Sequence, residues 1–155
     1  MESLSPEQLQ DTVENLFFSI NTNREIVLSF RFNEKTPIAF VDINNLRVAL
    51  REVFANAIES IVGAGSILVS IIYDNAANEF VLKVANNGRP LSLTMQTKLF
   101  IPFTGDKQGK KSIGLVRAKL ACQRLGGDVS FESSNEDQTV FLIRFPAFMK
   151  TKSLP

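Results

Sequence analysis

Histidine and tryptophan are missing altogether from the 155 residues, and there is a single tyrosine and a single cysteine. Without histidine, no imidazole base, His metal ligand or phosphohistidine can come from these residues. The lone Cys122 has no partner for an internal disulfide. Its place inside a helical pattern gives it a packing role rather than a reactive one and fits a reducing compartment. An excess of one charge is lacking as well: 17 Lys and Arg against 16 Asp and Glu leave a net charge of +1 spread along the chain, with no electrostatic footprint for nucleic acid or an anionic membrane. No apolar run approaches the roughly 20 residues that span a bilayer, and the polar opening MESLSPEQLQ is not that of a signal peptide. The expected setting is the cytoplasm, with no nucleic-acid partner and no direct membrane insertion.

Hydrophobic residues make up 45% of the chain and charged residues 21%, and thirteen Phe supply most of the aromatic bulk. That composition suits a soluble globular domain large enough to bury an ordinary core. One domain over 1–155 is expected: a helical lead-in at 1–20, a core at 21–147 and a frayed tail at 148–155.

SPEQLQDTVENLFFSI has a helix-start pattern followed by Leu9, Val13, Leu16 and Phe17 at helical spacing. REIVLSFRF and PIAFVDI are extended runs. A long helix is predicted from about Asn44 to Val62, capped by Asp42 or Asn44 and ended by GAG. SILVSIIYD and EFVLKVAN form a hairpin around NAAN, and NNGRP breaks its second strand. A helix-compatible piece, SLTMQTKLF, leads into the Lys-rich, Gly-containing loop IPFTGDKQGKKS. A second long helix is predicted from Ile113 to Leu125, closed by GG, then a last hairpin around NEDQ. The fold class is α+β, with strands in hairpins rather than in βαβ alternation and two long helices to cover one face of the sheet.

The first long helix carries a pattern within its pattern. Leu50, Val53, Phe54, Ala57, Ile58 and Ile61 form an apolar stripe, while Glu52, Asn56 and Glu59 line up beside it on one face. The alternative to a functional row is a solvated helix edge. Three further stretches bear on the choice: NNG after a strand, a loop with Lys107, Lys110 and Lys111, and IGL opening a helix. A loop feeding a helix start offers unpaired N–H groups and the positive end of a dipole, which suits polyphosphate. An Asn on a facing helix supplies an oxygen for Mg²⁺.

Taken in order, from about Glu25 to Pro146, these stretches resemble the ATP-binding domain of sensor histidine kinases. The wider GHKL group to which it belongs includes type II topoisomerases, Hsp90 and mismatch-repair ATPases. VDINNLRVALREVFANAI is similar to the family's first conserved box, at Asp42, Leu46, Glu52, Asn56 and Ala57. The resemblance makes Asn56 the Mg²⁺ ligand and has Glu52 orient or deprotonate the attacking group or a water near the γ-phosphate. VANNGRPLS is similar to the adenine-binding turn, with Asn86 where the family's Asp stands and Gly88 keeping the Gly. LFIPFTGDKQGKKSIGL resembles the phenylalanine box, a short lid and the second glycine box, with Phe100, Pro102, Phe103, Lys107, Gly114 and Leu115 matching. Lys110 and Ser112 stand where glycines are usual, and their charge and hydroxyl are expected to serve the phosphates instead. Gly126, Gly127 and Thr139 match the closing segment, Thr139 at a position that touches adenine through water. Glu59 stands where many histidine kinases have a Lys that reaches the phosphates, while other branches of the group have an acid there.

The resemblance implies a two-layer α/β sandwich of the Bergerat type, with a mixed, mostly antiparallel sheet covered on one face by helices. It implies ATP and Mg²⁺ as ligands and transfer of the γ-phosphate to a histidine outside this chain. The implied partners are the histidine-bearing dimerisation domain of a parent kinase and a response regulator. The alternative is a degenerate domain of the same fold that binds a partner protein with weak or no turnover, which the changes at Asn86, Lys110, Ser112 and Glu59 favour. An anti-sigma-type serine kinase shares the fold, but no residue selects it.

Overall fold

The computed structural model describes residues 1–33, 35–102 and 110–147, with the backbone alone over 110–112. Ser5 caps the first helix, α1 (Pro6–Ile20), through a reciprocal pair: Gln8 N–H donates to Ser5 Oγ and Ser5 N–H donates to Gln8 Oε1. Leu9, Val13, Leu16 and Phe17 are the face it buries, as their spacing predicts. Ahead of the helix lies a short strand, β1 (Glu2–Leu4), which pairs antiparallel with β3 (Ala39–Val41). Three residues carry too little periodicity to announce a strand, and β1 exists because its partner lies nearby.

Asp42 starts the long helix α2 (Ile43–Ser60) by accepting from the Asn44 and Asn45 N–H groups and from Asn45 Nδ2 at 2.8 Å. These bonds, that of the Asn45 side chain foremost, hold the Asp42 carboxyl below its ordinary 3.8. A depressed carboxyl stabilises the fold fully above its unfolded value and loses that contribution as pH falls through the folded one. Asp42→Ala is expected to cost about 1 kcal/mol in urea denaturation at neutral pH. Asp42→Asn, which caps without charge, should lack the acid-dependent part of the loss. Equal acid sensitivity in Asp42→Asn and wild type would contradict this account.

The main sheet runs in the order β2 (Ile26–Phe32), β4 (Gly65–Asp74), β5 (Glu79–Asn86), β7 (Thr139–Pro146), β6 (Asp128–Ser134). β4–β5 and β6–β7 are the two predicted hairpins, turning at 75–78 and 135–138, with a bulge between Phe131 and Ser133. One expectation is corrected: β2 and β4 pair in parallel, with α2 in the crossover between them, so not every strand belongs to a hairpin. The sheet is thus mixed and mostly antiparallel, and the fold is the α+β sandwich expected. Among the described residues the link after β5 holds one helical turn, α3 (Leu93–Gln96).

The next helix, α4 (Lys110–Arg124), begins ahead of the predicted Ile113, as the helix-forming Lys110 and Lys111 extend it by a turn. It ends in a Schellman motif: Gly126 adopts φ +80°, its N–H reaches Gln123 O, and Gly127 N–H reaches Cys122 O at 2.9 Å. A side chain at 126 would be strained in that left-handed conformation.

The core lies between α1, α2 and α4 and the inner sheet face, where Ile67, Val69, Phe80, Leu82, Phe141 and Ile143 alternate with outward residues. Phe80 stacks on Phe145 at 5.4 Å between ring centres, and Phe17 meets Phe54 edge-on at 5.3 Å, tying α1 to α2. Cys122 is fully buried, and its thiol is pushed up to about 12 by burial first and the Asp128 carboxylate second. It stays a neutral packing group. Among the described residues no helix is long and apolar enough to cross a membrane.

Candidate functional site

Two buried polar residues stand out in an otherwise apolar core: Asn86 and Thr139, each 3% exposed. They end β5 and begin β7, and the ladder pairs them directly, so both polar side chains arrive at the same end of the sheet. The C-terminal half of α2 faces that end. Between them is a cleft of about 200 Å³, lined among others by Asn56, Ser60, Asn86, Arg89, Met95 and Thr139.

Each wall is fastened by hydrogen bonds. Asn86 Nδ2 donates to Ser60 Oγ at 2.8 Å, and the Ser60 hydroxyl donates to Ala57 O at 2.7 Å. Arg89 N–H donates to Ser60 O at 2.8 Å, so the turn after β5 is docked on the last turn of α2. Gly88 sits in that contact, where an added Cβ would run into the Ser60 backbone carbonyl. On the far side Leu91 N–H donates to Ser134 Oγ at 2.8 Å, and Ser134 and Thr139 share a hydroxyl bond of 2.6 Å. The floor is therefore a prearranged set of donors and acceptors at the mouth of an apolar core.

Asn56 is half-buried at the cleft, and among the described residues its side chain has no hydrogen-bond partner. Its amide is available to a ligand. Glu52 lies one turn earlier and faces α4 rather than the cleft. Its Oε2 pairs with Arg117 Nε at 3.4 Å, while a Cβ added to Gly114 would stand 2.6 Å from its Oε1. Glycine at 114 thus lets α4 approach the α2 carboxylate. Leu115 is buried in the core, where it anchors α4.

The sequence-predicted set divides accordingly. Asn56, Asn86 and Thr139 converge on the cleft, Gly88 seats its turn, and Glu52 and Gly114 meet at the α2–α4 contact. Phe103 and Lys107 lie outside the described residues. Lys110 and Ser112 fall in the first turn of α4, and their side chains also lie outside the description. Sequence reasoning missed Ser60, Arg89 and Met95. Ser60 has a signal, since Glu52, Asn56 and Ser60 follow a strict four-residue step, but the polar row read from the sequence runs through Glu59. Arg89 and Met95 reach the cleft only because their turn folds back, which no local pattern records.

The described residues contain no group of three His, Cys, Asp or Glu fit to hold a metal by themselves. Mg²⁺ does not need one: it binds through one or two protein oxygens together with substrate phosphates and water. The Asn56 amide oxygen fits that donor set.

Residues 41–148 match the family described as histidine kinase-, DNA gyrase B-, and HSP90-like ATPase. Sporulation kinase D of Bacillus subtilis is 28% identical over 125 residues, covering 80% of this chain and 24% of that protein. The chain therefore spans about a quarter of the length of that curated relative. Among solved structures, the catalytic domain of the histidine kinase ThkA superposes with a TM-score of 0.75 at 22% identity, covering 95% of this chain and 97% of that one. ThkA has also been solved in complex with the response regulator TrrA. Full-length ShkA in complex with AMPPNP gives a TM-score of 0.76 at 17% identity, covering 92% of this chain and 31% of that one. At such identities the structural likeness establishes the fold.

Proposed function

The chain belongs to the histidine kinase-, DNA gyrase B- and HSP90-like ATPase family, and from that membership we propose that it is the ATP-binding catalytic domain of a two-component sensor histidine kinase. Its reaction is transfer of the ATP γ-phosphoryl group to a histidine outside these residues. The observation that carries the reading is the convergence of Asn56, Asn86 and Thr139, from α2, β5 and β7, on one polar cleft at the end of the sheet.

In this reading Asn86 accepts from the adenine amino group and Thr139 supports the base. Asn56 holds Mg²⁺, which when bound neutralises charge on the β- and γ-phosphates. The incoming imidazole nitrogen attacks phosphorus in line, a P–N bond forms, the bond to the β-phosphate oxygen breaks, and ADP leaves. Glu52, held beside Gly114 at the N-terminal part of α4 and outside the base-binding cleft, is placed by this reading at the phosphate end, where it orients the imidazole and takes its proton. Lys107 and Lys110 are assigned to offset phosphate charge and Ser112 to hydrogen-bond a phosphate oxygen, and Phe103 is carried over from the matched phenylalanine box. Most of the catalysis asked of the protein is positioning.

The partners are the histidine-bearing dimerisation domain of the parent kinase and a response regulator, and the setting is the cytoplasm, where ATP is available. The solved complex of the histidine kinase ThkA with the response regulator TrrA supports this expectation.

Isothermal titration with a nonhydrolysable ATP analogue is expected to give micromolar binding, about −8 kcal/mol, that depends on Mg²⁺. Absence of heat at millimolar analogue would overturn the nucleotide reading and leave a partner-binding domain of this fold. Given a histidine-bearing dimerisation domain in trans, labelled ATP should yield an acid-labile phosphoryl group on that domain.

A further inference from the structure

We infer that Ser60 decides which purine the cleft accepts, by fixing the direction of the Asn86 amide. The inference rests on the nucleotide reading above and names the residue that sets its base preference.

A hydroxyl has one hydrogen to donate. That of Ser60 is committed to Ala57 O at 2.7 Å, the back-bond to the preceding helical turn. Toward Asn86, therefore, Ser60 Oγ can only accept. The group it meets at 2.8 Å must be the amide nitrogen, and the carbonyl oxygen must point elsewhere. Among the described residues no donor reaches Oδ1. Asn86 is 3% exposed, and what it exposes lies at the cleft it lines. The cleft is thereby presented with an acceptor.

A carboxylate here would need no such device, since both of its oxygens accept. An amide does, because its two ends have nearly the same shape and opposite hydrogen-bonding sense. With Oδ1 facing the base, a 6-amino purine pairs with it, whereas a 6-keto purine sets oxygen against oxygen and leaves two acceptors unsatisfied. Without the Ser60 hydroxyl the amide is free to turn over and offer Nδ2 to a keto group. Ser60 is itself held in place, because its carbonyl takes the Arg89 N–H and Gly88 packs against it. It is a positioning residue and acts through Asn86.

The test compares Kd for ATP and inosine triphosphate, which differ at the 6-position without the extra 2-amino group of guanine. Wild type is expected to favour ATP by about tenfold or more, and Ser60→Ala to bring the ratio within about threefold, largely by gaining affinity for inosine triphosphate. Ser60→Thr keeps the hydroxyl and should keep the preference. Asn86→Asp should prefer ATP with either Ser or Ala at 60. Ser60→Cys, a poor acceptor of similar size, gives a second reading if Ser60→Ala does not fold, and the same loss of preference is expected.

An undiminished ATP preference in Ser60→Ala, or an equal weakening of both nucleotides, would overturn the inference and leave the nucleotide site standing. If wild type binds neither triphosphate, the nucleotide reading falls and takes this inference with it. The two failures are distinguishable in one set of titrations.

Discussion

Asn56→Ala is expected to abolish Mg²⁺-dependent binding of an ATP analogue while leaving the stability of the chain close to wild type. Asn56 is half-buried at the cleft, and its amide has no hydrogen-bond partner among the described residues. Truncation therefore breaks no internal bond and places the better helix former on α2. What it removes is an oxygen for Mg²⁺ and, with the ion, the charge balance on the phosphates. The expected loss is at least about a hundredfold in affinity with Mg²⁺ present, roughly 2.7 kcal/mol, and little change without it. Calorimetry reads the affinity and a thermal melt reads the fold. Binding that stays unchanged would sink the metal assignment.

Phe54→Ala, two residues earlier on the same helix, should do the reverse. Phe54 is fully buried and touches Phe17 edge-on at 5.3 Å, so its removal leaves a cavity where α1 and α2 meet the core. The expected cost is about 3–5 kcal/mol, a large share of the 5–15 kcal/mol that holds a typical domain. Nucleotide affinity measured in the cold, where the variant is still folded, should stay within about threefold of wild type, since Phe54 does not line the cleft. A stability loss below about 1 kcal/mol in urea denaturation would mean that the site collapses around the missing ring. The pair of variants tests whether one helix serves core and site with separate side chains.

That division of α2 was legible in its spacing. Leu46, Leu50, Val53, Phe54 and Ala57 recur at three- and four-residue steps and are all buried, and Asp42 caps the helix. The two hairpins were legible for the same reason: NAAN and NEDQ are turn chemistry between alternating strands. The parallel β2–β4 pair was not. Nothing in REIVLSFRF states whether its neighbour arrives through a hairpin or through a helix, because strand pairing is a long-range choice made by the whole sheet. β1 escaped for a related reason, being too short to bury a face on its own.

The site divides along the same line. Asn56 was visible as a polar residue beside an apolar stripe, whereas Asn86, at the end of a strand, was singled out only by the resemblance to the adenine-binding turn. Ser60 stood on the same four-residue step and was passed over in favour of Glu59, since a serine at a helix end has an ordinary capping or turn reading. That it receives the Asn86 amide depends on a contact between residues 26 positions apart.

By itself, then, the sequence determined the periods: which residues are apolar every two or every 3.6 positions, where helices and strands stop, and that no His or paired Cys is available for chemistry. Those properties are local because they follow from backbone geometry and side-chain type. The tertiary structure alone decided that the ends of β5 and β7 lie opposite the last turns of α2, that Glu52 meets α4 instead of the cleft, and that a serine hydroxyl sets the sense of an amide. These depend on close packing between segments far apart in the chain, where a few tenths of an ångström separate a hydrogen bond from a clash, and no local pattern encodes such distances.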